Sequence, residues 1–120
     1  MRRGVLLMNL GGPSGPDDVK GFLYRLFSDP DILVGIPAPF RQLLAFAIAQ
    51  VKGPSSIRMY GEIGGGSPQL RWTRLQAESL ARAFGGSHQV AIGMRASRPS
   101  IQDGLAELRE GGVEELTLLP

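Results

Sequence analysis

The stretch Tyr60 to Trp72, Tyr-Gly-Glu-Ile-Gly-Gly-Gly-Ser-Pro-Gln-Leu-Arg-Trp, sets two hydroxyl side chains around a three-glycine loop that runs directly into a helix start. Gly64, Gly65 and Gly66 lack a Cβ, so the backbone there can approach a ligand closely and take angles closed to other residues. Ser67 is a helix-capping type, and Pro68 has the fixed φ favoured in a first helical turn. Free amides at such a start favour an anion, a carboxylate or a phosphate. The same residues also suffice for a tight turn with Ser67 as an ordinary cap, and spacing alone leaves both readings open.

Other chemistries are bounded by what the chain lacks. Its 120 residues contain no cysteine and one histidine, which excludes disulfides, thiolate metal sites and multi-histidine metal sites in this segment. His88, within Ser87-His88-Gln89, is expected to be a solvated loop residue before a strand rather than a catalytic base. The net charge of +2 is spread among interspersed signs, so there is no clustered basic stripe of the kind that nucleic-acid binding needs. A nucleotide-binding module is a rival use of the glycine loop. Against it, the loop carries no phosphate-binding lysine, and no Gly-x-Gly-x-x-Gly follows the first strand.

The elements that must hold these groups alternate. Val5 to Leu10 is an apolar run ending at Gly11-Gly12-Pro13, as in a strand buried on both faces. Ser14 and Pro16 announce a helix in which Val19, Phe22, Leu23, Leu26 and Phe27 recur at helical spacing until Ser28-Asp29-Pro30. A second, very apolar helix spans Phe40 to Val51 and is closed by Lys52-Gly53-Pro54, with Ser56 to Glu62 leading on to the glycine loop. It is either covered by protein or turned towards a membrane or an apolar ligand. A third helix runs from Pro68 to Phe84, with Ala77, Leu80, Ala81 and Phe84 inward. Then come a strand Val90 to Met94, a helix Pro99 to Arg109 with Ile101, Leu105 and Leu108 inward, and a strand Leu116 to Leu119. This order predicts an α/β fold with a parallel sheet flanked by helices, one domain or part of one, with the last strand short of the elements that would cover it. Met1-Arg2-Arg3 and the run Val5 to Met8 are too short for a signal peptide, and no run nears the roughly 20 apolar residues of a membrane span. The expectation is a cytoplasmic protein.

Set in order, Val5-Leu-Leu-Met-Asn-Leu-Gly-Gly-Pro13, Phe22-Leu-Tyr-Arg-Leu-Phe-Ser-Asp-Pro30, Tyr60 to Pro68, Trp72-Thr73 and Gly93-Met-Arg95 resemble the N-terminal portion of the ferrochelatases, over nearly the whole chain. The resemblance implies a Rossmann-like half-domain of an enzyme of haem synthesis that inserts ferrous iron into protoporphyrin IX, releasing two pyrrole protons. It further implies that Ser67 and Tyr60 contact porphyrin propionates and that Lys52 stands where many relatives have an arginine. By the same resemblance Leu10 is expected to line the macrocycle slot beside the metal entry, and Arg95 to lie at the cleft wall. Ala96 replaces the aromatic that usually follows Arg95, and Val51 replaces a basic residue common in relatives. The span Leu33 to Ile48 corresponds to the lip of the cleft, which in membrane-associated relatives touches the bilayer, implying peripheral contact with the inner membrane. The family's catalytic histidine and acidic residues belong to the C-terminal half, beyond Pro120, so the 120-residue chain alone is expected to be inactive and to hold no cofactor or metal ligand. An iron–sulfur cluster, the oligomeric state and the choice between protoporphyrin and its tetracarboxylate relative are left open. A chelatase for another metal and a non-catalytic porphyrin-binding relative are the alternatives within this resemblance.

Overall fold

The computed structural model describes residues Met1 to Pro120. They form two compact units, Met1–Gly11 with Pro68–Pro120, and Gly12–Ser67.

The first unit is built on three parallel strands, β1 (Arg3–Asn9), β2 (His88–Met94) and β3 (Glu115–Leu119), in the order β2-β1-β3. Register runs from Arg3 opposite His88 to Asn9 opposite Met94 on one side, and from Arg3 opposite Glu115 to Leu7 opposite Leu119 on the other. Two helices pack on β2: α3 (Gln69–Phe84) and α4 (Ile101–Glu110). Leu6, Ala91 and Leu108 form the core, with Met8, Ile101 and Val113 against them. Close approach of α4 to β2 depends on Gly104, where a Cβ would lie 2.5 Å from the Ile92 carbonyl oxygen and 2.5 Å from Leu6 Cδ1.

The α4 helix has a reciprocal cap. Ser100 Oγ accepts from the Asp103 amide at 3.0 Å, and Asp103 Oδ2 accepts from the Ser100 amide at 2.9 Å. The amide bond from Ser100 holds the Asp103 carboxyl below its usual value. Ser100→Ala is expected to destabilise the protein by about 1 kcal/mol, visible as a lower urea midpoint with unchanged slope.

In the second unit a single 3₁₀ turn, Pro16–Asp18, leads into α1 (Val19–Phe27), which packs on α2 (Ala38–Gly61). The buried residues of α2 are Ala45, Ala49 and Gly53, spaced by four, and those of α1 are Val19, Phe22 and Leu23. Large side chains on one helix thus meet a small-residue stripe on the other. Lys20 lays its stem across Gly53, where a Cβ would be 2.8 Å from Lys20 Cγ, and its ammonium reaches Gln50 Oε1 at 3.3 Å. Asp18 accepts from the Ser14 amide at 3.0 Å and pairs with Arg25 at 3.0 Å. Burial pushes the Asp18 carboxyl up, but the Ser14 and Arg25 contacts outweigh it and hold the group below its ordinary value of 3.8. A carboxyl depressed in the folded state stabilises fully above its unfolded pKa and loses that contribution as pH falls through the folded value. Asp18→Asn is therefore expected to make acid unfolding less steep, with a cost under about 1 kcal/mol at neutral pH because the pair is partly solvated; a pH series of urea melts measures both.

Five expectations are corrected. The second helix is not closed at Lys52-Gly53-Pro54: α2 continues through Pro54 to Gly61, absorbing the expected Ser56 to Glu62 segment. The missing proline amide costs one helical hydrogen bond, and the α1 contact along Ala45, Ala49 and Gly53 keeps the two segments in line. The α3 helix begins at Gln69 with Pro68, not Ser67, at the cap position. His88 is the first residue of β2, half-buried, and its ring stacks on Phe84 with centroids 4.1 Å apart. The fourth helix starts at Ile101 behind its Ser100 cap, and Leu105 is 38% exposed, leaving Gly104 and Leu108 as its buried positions. Finally, burial on both faces, expected from Val5 to Leu10, is confined to Gly4, Val5 and Leu6 of β1, which ends at Asn9. The last strand, β3, is exposed throughout.

Candidate functional site

In the Gly12–Ser67 unit, the last turn of α2 delivers Tyr60 to the glycine loop. Its carbonyl accepts from the Ile63 amide at 3.0 Å and the Gly65 amide at 2.8 Å, folding the chain back on the helix end. Gly64 and Gly65 have φ of +104° and +96°, angles that favour glycine, so the loop requires both. Gly66 is required for space: a Cβ there would lie 2.7 Å from the Ser14 carbonyl oxygen and 2.8 Å from that of Pro13. Ser67 is then anchored by its amide, which donates to the Pro13 carbonyl at 2.8 Å. Lys52, exposed on α2, precedes Tyr60 by eight residues, about 12 Å along an ideal helix and within about 80° of it around the axis. Hydroxyls and an ammonium are thus carried by one helix and the loop that ends it, a donor set suited to carboxylates.

The other unit carries Leu10 and Arg95. The β1–β2 pairing extends past the strands, with the Arg95 amide on the Asn9 carbonyl at 3.0 Å and the Ala96 amide on the Leu10 carbonyl at 2.9 Å. Leu10, 41% exposed, and the exposed Arg95 therefore lie side by side beyond the carboxyl ends of two parallel strands, where ligands of open α/β sheets gather. Ala96 is 4% exposed, so an aromatic at that position would have to displace its neighbours. At Gly11, whose φ is +90°, the Ser97 side chain fills the space a Cβ would take, which places a hydroxyl residue next to Leu10 that sequence reading did not select.

His88 Nδ1 lies 2.8 Å from Ser87 Oγ, and the ring is committed to Phe84. No group of three or more histidine, aspartate or glutamate side chains is placed to hold a metal ion.

On α2, Phe40, Leu43, Leu44, Phe46 and Val51 are exposed. No helix is long and apolar enough to cross a membrane.

A parallel α/β sheet with loops at its carboxyl ends defines the class: a Rossmann-like fold. The family model for ferrochelatase matches residues 2–120. The chain is 43% identical over 120 residues to the ferrochelatase of Aquifex aeolicus, covering 100% of this chain and 38% of that protein. It is 44% identical to the ferrochelatase of Thermosynechococcus vestitus over 98% of this chain and 31% of that one. For the ferrochelatase of Nostoc punctiforme the identity is also 44%, over 99% and 31%. The chain belongs to the ferrochelatase family. It spans about a third of the length of these relatives.

Proposed function

We propose that this chain is part of a ferrochelatase, a lyase forming metal–nitrogen bonds, which inserts ferrous iron into protoporphyrin IX to give protohaem and two protons. The observation that carries this reading is the family match along residues 2–120, which takes in every residue of the candidate site. Within it, Tyr60 and Ser67 hydrogen-bond the porphyrin propionates and Lys52 supplies a positive charge, as a point charge rather than the bidentate fork of an arginine. Leu10 and Arg95 line the macrocycle slot beyond the sheet. Iron and porphyrin are both substrates. The apolar span Leu33 to Ile48, in which Val34, Phe40, Leu43, Leu44 and Phe46 are exposed, serves as the lip through which a hydrophobic substrate enters, with peripheral attachment of a cytoplasmic enzyme to a membrane surface.

The step assigned to residues 1–120 is binding and orientation of the porphyrin, through Tyr60, Ser67, Lys52, Leu10 and Arg95. Iron insertion by the complete protein, followed by the Soret and visible bands of the metallated product, is the test. Turnover of ferrous iron with protoporphyrin IX by the complete protein, and none by residues 1–120 alone, is the expected result. Absence of metal insertion by the folded complete protein would overturn the reading.

A further inference from the structure

We infer that Gly12 is a positioning residue for Ser67, setting where the Ser67 hydroxyl meets a porphyrin carboxylate. The inference rests on the reading of Ser67 given above.

Gly12 is not a glycine for backbone reasons: it is absent from the positive-φ residues, which include its neighbour Gly11. What excludes a side chain is Ser67. A Cβ on Gly12 would overlap Ser67 Cβ and stand 2.6 Å from Ser67 Oγ, and the three atoms nearest to it, out to the Ser67 Cα at 3.8 Å, all belong to Ser67. Rotation about χ1 moves Oγ but not Cβ, so the overlap is relieved only by moving the Ser67 backbone or the Gly12 loop. Both are held. The Ser67 amide is bonded to the Pro13 carbonyl at 2.8 Å, Pro13 is buried, and Gly66 lies against the Ser14 and Pro13 carbonyls. Ser67 is thus fixed by its amide on one side and by the bare Cα of Gly12 on the other. The Gly11-Gly12-Pro13 loop acts as a template for a hydroxyl more than fifty residues along the chain. Hydrogen bonds to charged groups depend steeply on geometry, so displacement by a methyl group removes the contact without removing the hydroxyl.

The test uses the complete protein in four forms: native, Gly12→Ala, Ser67→Gly and the double variant, titrated with protoporphyrin IX and with its dimethyl ester, and melted thermally. Gly12→Ala is expected to weaken the free acid about tenfold, the loss of one hydrogen bond to a charged group, and to leave the ester unchanged. In the Ser67→Gly background, where the clash partner is gone, Gly12→Ala is expected to add no loss of affinity or of melting temperature. Native affinity in Gly12→Ala, equal losses for acid and ester, or losses that add in the double variant would each overturn the inference. If Gly12→Ala does not fold, recovery of the fold in the double variant supports the contact and no recovery refutes it. If Ser67→Gly binds the free acid as the native protein does, the carboxylate reading of Ser67 fails, and with it the inferred role of Gly12; recovery of melting temperature in the double variant would then show that only the reading of Ser67, and not the packing of Gly12, was at fault.

Discussion

Leu6→Ala is expected to destabilise the strand-bearing unit by about 3 kcal/mol, the middle of the range for a leucine removed from a core that collapses only in part. Leu6 is 0% exposed at the centre of the middle strand. Its Cδ1 lies 3.4 Å from where a Cβ on Gly93 would be and 2.5 Å from that of Gly104, so it fills the space left by two glycines, one on β2 and one on α4. The α4 backbone already sits against the Ile92 carbonyl and cannot move in to close the void. The urea midpoint should fall with the slope unchanged; a loss under about 1 kcal/mol would show that the void closes and that Leu6 is not the keystone of this core.

The second large effect concerns binding. Phe40 and Leu43 are 65% and 69% exposed and sit three residues apart on α2, so replacing both with glutamine removes little packing within the fold. If this arc is the lip of a porphyrin cleft at a membrane surface, it loses about 1.5 kcal/mol or more for each side chain that bound ligand or lipid would cover, a tenfold change apiece. The expected outcome is at least a tenfold weaker affinity for protoporphyrin IX or for phospholipid vesicles, with an unchanged melting temperature. Unchanged affinity for both would refute the lip, and a fall in melting temperature would mean that the arc is covered by protein.

Legibility in the sequence followed the range of the forces involved. The β1–loop–α1 unit and the glycine loop were visible because their signals are local: apolar runs, Gly-Gly-Pro, and helical spacing from Val19 to Phe27. The continuation of α2 through Pro54 was not. The local rule places a break there, and what overrides it is the packing of α1 on Ala45, Ala49 and Gly53. The same stripe explains why the helix exposes its large apolar residues and buries its small ones, a reversal that hydropathy alone does not reveal. Ser-His-Gln has no strand signature, so the sequence places His88 in a loop; pairing with Arg3, eighty-five positions away, extends β2 to include it. The Ser100–Asp103 cap was present as a Ser-x-x-Asp pattern but masked by Pro99, which set the expected start too early. At the site, residue types were legible and their support was not. The clearance that Gly12 gives Ser67 comes from two loops meeting, which no spacing along the chain encodes.

The most direct measurement is a titration of protoporphyrin IX, by fluorescence and Soret absorption, into the complete protein and its Ser67→Ala and Tyr60→Phe variants, with ATP as competitor. Saturable binding that both substitutions weaken and that ATP leaves untouched is the result expected if the glycine loop and the end of α2 hold the propionates. Binding unaffected by either substitution, or displaced by ATP at micromolar concentration, would contradict it and turn the loop back into an ordinary turn or a phosphate site.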